Sequence, residues 1–259
     1  MATFTGTRTP HALRKAQEFF AEHSLDAEFE RQRAKTKEYL EAFGPAPTFS
    51  FLANLCEATS HANCRTVSDL ETIDWERWRL ATELRLLQWR LDAVTPLAKR
   101  RRTWVEVSNA LHLGISLYLS GREKLAVPIF ESLATGLPPV LDQMTSRKDR
   151  SRDWGAIAYV FQDVMDLKAL PKPLQVALPE TLEQAIAARA TYSDSRDPYG
   201  SLLSHDGANL IPVELIFFAR RREILDPELG FFDERIRTSS YPSHPVFQEI
   251  DLDLSISGL

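Results

Sequence analysis

Two cysteines in 259 residues cannot form a disulfide scaffold, so a packed core must hold the fold and a reducing compartment is expected. Glycine is also scarce, at 10 residues, while arginine, alanine, leucine and glutamate abound, and that balance favours helix. Nowhere do about 18 apolar residues follow one another, as a bilayer-spanning helix requires. The longest apolar stretch, Leu210 to Ala219, is interrupted by Pro212 and Glu214. The opening MATFTGTRTP has no apolar core flanked by basic residues, so no secretory signal is expected and the chain reads as cytoplasmic. A basic excess is missing too. The 31 Lys and Arg against 36 Asp and Glu give a net charge of −5, which argues against general nucleic-acid binding. What remains is ordinary globular usage, 44% apolar and 26% charged, enough for a real core.

Capping and breaking signals divide the chain into about nine helices. Thr9-Pro10 opens the first, to His23, and Ser24 or Asp26 caps a second that ends at Phe43. The Gly44 to Thr48 segment (GPAPT) reads as a linker, with a short helix over Ser50 to Ser60 beyond it. Ser68 to Glu71 has capping-box spacing, and the run behind it is helical to Val94. Trp75, Trp78, Thr82, Leu86, Trp89 and Ala93 form its apolar stripe, with arginines 77, 79, 85 and 90 mostly on other faces. Thr95-Pro96 opens a helix that stops at Gly121. Glu123 to Thr135 is its antiparallel partner, ending at Gly136-Leu137-Pro138-Pro139, with Pro128 tolerable in the first turn. Helices follow over Asp153 to Leu167, Pro179 to Tyr192 and about Asn209 to Ile224, where Pro212 fits the first turn. Val246 to Ile256 alternates apolar and polar residues, the pattern of a short strand or extended docking arm.

These elements predict an all-α fold: a multi-helix bundle or an array of antiparallel helical hairpins, with a short extended C-terminal tail. The chain is expected to be a single α-helical domain over 1–259. Its one internal division would be an N-terminal helical subregion, 1–44, ahead of the GPAPT linker. Between Val107 and Pro139 the spacing of Gly114, Leu117, Gly121, Ala126, Phe130 and Pro138 resembles a single tetratricopeptide-type hairpin. An array needs roughly three repeats and the sequence holds no second copy, so an ordinary αα-hairpin is the simpler account.

Candidate chemistry is sparse. Cys56, His61 and Cys64 could offer two thiolates and an imidazole to zinc, but they lack knuckle spacing and need a distant ligand such as His112 or Glu57. Half-buried cysteines and a loop histidine explain them better. Arg237 and His244, with six residues between them, match the Arg-x₄₋₆-His spacing of HEPN-type ribonucleases. Ser239 to Pro242 between them is loop chemistry, so chance is the better account. Ser204, His205 and Asp206 are consecutive, and consecutive side chains point apart rather than converge as a triad. No phosphate loop or nucleophile elbow is present. The basic clusters Lys99 to Arg102, Arg147 to Arg152 and Arg220 to Arg222 lie in an acidic chain where acids interleave or adjoin them (Asp149, Asp153, Glu223), which makes them solvated or salt-bridged faces before docking patches. Of the tryptophans at 75, 78, 89, 104 and 154, most belong to the core, and any exposed one beside arginine would anchor a partner. No catalytic residue, metal ligand or cofactor is assigned.

In the C-terminal third, Ala190-Thr191-Tyr192, an acidic loop with Asp197 and Asp206-Gly207, and then Ala208 to Ala219 with Leu210, Pro212, Leu215 and Ala219 follow one another. Over about Gln184 to Phe232 this weakly resembles bacterial polymorphic-toxin immunity proteins of the Imm49 type. It departs from them where Phe231-Phe232-Asp233 replaces a Tyr-Leu-Pro. The resemblance implies a cytoplasmic helical protein that neutralises a cognate toxin encoded beside it. The expected function is therefore non-catalytic binding of a protein partner, without nucleic acid or membrane. The alternatives are a helical metal-dependent enzyme or nuclease drawing on His112, His205 or His244, and a helical scaffold or regulatory module.

Overall fold

The computed structural model describes residues 44–60, 73–94, 104–144, 179–186 and 211–238, together with positions 34, 35, 38, 41, 42 and 160. The fold is all-α, with no strand among the described residues. Six helices are traced among the described residues: α1 (Pro45–Thr59), α2 (Trp75–Val94), α3 (Trp104–Leu119), α4 (Glu123–Met144), α5 (Val213–Arg221) and α6 (Pro227–Thr238). Ala34, Lys35, Glu38, Glu41 and Ala42 are also helical and exposed. The expected helix at 10–23, the capping box at 68–71 and the alternating tail at 246–256 lie outside the described residues. The chain divides into two compact units, one holding α1 and α2, the other α3 to α6.

In the first unit, Gly44 to Thr48 is not a linker. Gly44 adopts φ 82, ψ 177, a conformation open only to glycine, and Pro45 starts α1 directly behind it. The Thr48 hydroxyl donates back to the Gly44 carbonyl at 2.8 Å and is itself fully buried. Phe49, Leu52, Ala53, Cys56 and Ser60 then recur at three- and four-residue steps, and all are buried. Ser60 closes the helix and its carbonyl accepts from the Asp74 amide at 2.8 Å, tying the end of α1 to the start of α2. That start is capped by Asp74, whose Oδ1 accepts the Arg77 amide at 3.0 Å. Ile73 and Trp78, both buried, take the staple positions on either side of the cap.

Of the stripe expected on α2, Trp75, Trp78, Thr82 and Leu86 are buried and Trp89 is half-buried. The stripe is only part of what is covered. Every residue from Leu80 to Leu86 is buried, including Glu83 and Arg85, so the middle of α2 is enclosed on all faces. Arg85 is thus buried with the stripe rather than set on another face, and its guanidinium has found partners on α1.

The second unit is built on the α3–α4 hairpin. α3 ends in a Schellman motif, in which the Arg122 amide donates to the Leu117 carbonyl at 2.8 Å and the Gly121 amide to Tyr118 at 3.0 Å. Gly121, at φ 77, supplies the left-handed residue that this motif requires. Across the hairpin Gly114 faces Phe130 so closely that an added Cβ would sit 2.3 Å from the ring. Ala126 and Phe130 are fully buried, so the expected close-packed hairpin is present.

Its second helix differs from expectation in two ways. α4 continues through Gly136, Pro138 and Pro139 to Met144 rather than ending there. Proline's fixed φ suits a helix, and what it removes is one amide donor per residue. Pro128 lies in the second turn, not the first, and takes away the donor that would meet the Lys124 carbonyl; both residues are exposed, so water can serve that oxygen.

α5 is shorter than expected. Pro212 stands just outside it, its carbonyl accepting the Ile216 amide at 3.0 Å. Val213 to Ala219 are all buried, which makes α5 the enclosed helix of this unit, packed against α3 and α6. α6 was not expected at all. Asp226 caps it, accepting the Leu229 amide at 3.0 Å, Pro227 takes the first helical position, and Leu229, Phe232 and Ile236 bury one face. Of the helix expected over Pro179 to Tyr192, the described part begins at Leu182, with Thr181 accepting the Gln184 amide at 3.2 Å.

Candidate functional site

Three groupings carry polar chemistry. In the first unit, Arg85 Nη2 donates to Asn54 Oδ1 at 2.9 Å and forms a close ion pair with Glu57 Oε2, and all three residues are buried. A buried guanidinium and carboxylate neutralise each other, which is what allows both into the core. Glu57 is thus committed to Arg85 rather than to a metal. Cys56 beside it is buried and forms no disulfide, and burial pushes its thiol up from 9.0 to about 12. Desolvation favours the neutral thiol over the thiolate there. His61 and Cys64 lie outside the described residues, and no cluster of three or more metal-ligating side chains occurs among the described ones.

In the second unit, His112 Nε2 on α3 lies 2.6 Å from Glu214 Oε1 on α5, with side chains only 13% and 6% exposed. Apart from Ser116, Glu214 is the one buried polar side chain of this unit among the described residues. The expected partners of His112 in an enzyme, His205 and His244, lie outside the described residues, as do Ser204 and Asp206. The structure thus joins His112 to an acid not among the candidate residues. Glu214 sits inside an apolar run, where an isolated carboxylate is the signal of a buried pair.

The third grouping is the turn from α5 to α6. Arg220, the first of the Arg220 to Arg222 cluster, is structural. Its Nη2 donates to the Leu119 carbonyl at 2.9 Å, serving an orphan acceptor at the end of α3, and its guanidinium pairs with Asp233. Asp233 also holds Arg237 at 2.9 Å, so Arg237 belongs to α6 and to this network rather than to a loop. Arg221 and Arg222 are exposed, and Arg222 lies 5.8 Å from the Phe218 ring.

Beyond Arg222 the backbone is fixed at both ends. The Ile224 amide donates to the Ala219 carbonyl at 2.9 Å and Glu223 adopts φ 53, a second Schellman turn made without glycine. Asp226 caps the following helix. Between these anchors Leu225 is 92% exposed, against 37% for Val127, the other exposed large apolar residue among those described.

No known protein family, curated protein or solved structure matches the chain. No described helix is long and apolar enough to cross a membrane.

Proposed function

We propose that this chain is a non-catalytic protein-binding protein, specifically an immunity protein that neutralises a cognate bacterial toxin by direct contact in the cytoplasm. The observation that carries this reading is the α5–α6 turn, which holds Leu225 in water on a backbone fixed by a strained Schellman turn and a helix cap. An apolar side chain presented on an anchored backbone spares the loop-ordering cost of binding. The same turn lies inside the stretch that resembles the immunity type. The net charge of −5 adds support, because a basic toxin would be drawn to an acidic partner. The test is co-expression with the product of the neighbouring gene. Growth should be restored and the two proteins should co-purify at one to one. Failure of both rescue and complex formation overturns the reading. Stoichiometric zinc or iron in the purified protein would instead favour the enzyme alternative.

A further inference from the structure

We draw no further inference here: the strongest candidate, the buried His112–Glu214 pair where α3 meets α5, is a closed contact within the helix packing already described and belongs to no group of three metal-ligating side chains among the described residues.

Discussion

Two turns of one geometry are solved with different residues. Gly121 and Glu223 occupy equivalent left-handed positions, at φ 77 and φ 53, each behind a helix whose last carbonyls are met by the same pair of amide bonds. An L side chain in that region is strained by roughly 1–2 kcal/mol. Nothing lies within 4 Å of where a Cβ on Gly121 would sit, so only the backbone is at issue there. Gly121→Ala should therefore lower the unfolding free energy by about 1 kcal/mol, and Glu223→Gly should raise it by a similar amount. Urea titrations of the two variants check the opposite signs; the same sign for both would contradict the shared motif. The first turn was legible because glycine marks it, whereas the second was not, since glutamate carries no local signal for φ > 0. The buried pair of Arg85 and Glu57 makes a sharper case. Removing one partner leaves a charge in the core, so Arg85→Ala should destabilise by about 3–5 kcal/mol, while Arg85→Met with Glu57→Leu should recover most of the loss. A double-mutant cycle by denaturation measures the coupling, and additive losses would show that the pair is not the source. In sequence, Arg85 reads as one of several arginines off the apolar stripe of α2. Its burial depends on a residue 28 positions away, which helical periodicity cannot report.

At the scale of elements, helix ends with a single capping residue were read well and long helices with internal breakers were not. α2 and α3 end where the sequence placed them, at Val94 and just before Gly121. α4 was cut short because the Gly-Leu-Pro-Pro run satisfies every local stop rule, yet the helix passes through it. α6 has no counterpart among the expected helices, although Asp226-Pro227-Glu228 has the residue order of a helix start, a cap followed by proline and an acid. Gly230 and the adjacent Phe231 and Phe232 obscured its apolar period; Phe231 is only half-buried and pairs edge-on with Phe232. Because Asp226 supplies both the side-chain cap and the carbonyl for the first helical bond, Asp226→Ala should weaken α6 by about 1 kcal/mol. Hydrogen exchange at the Leu229 and Gly230 amides should rise first. Unchanged protection there would mean that packing of Phe232, not the cap, starts the helix.

For the molecule as a whole, composition carried the fold class: few glycines and abundant helix formers led to an all-α structure. The surface was less legible, since a binding anchor has no period and one exposed leucine looks like any other until the backbone around it is known. The proposed function divides the work between charge and that anchor, and the two are separable in kinetics. Net charge acts at long range, so association with a basic partner should slow by roughly tenfold or more between low and physiological salt. Leu225 acts only after contact and should govern dissociation. Leu225→Asn, which leaves the charge unchanged, is therefore expected to speed dissociation by about 10- to 100-fold, a loss of about 1.4–2.7 kcal/mol, with little change in association rate. Since the side chain is 92% exposed, the thermal midpoint of the free protein should stay where it is. Surface-plasmon measurements on the co-purified pair, with a melting curve of the variant alone, separate the outcomes. A complex that dissociates at the wild-type rate would move the interface away from the α5–α6 turn, while a lowered midpoint would reveal Leu225 as part of the fold rather than of the contact.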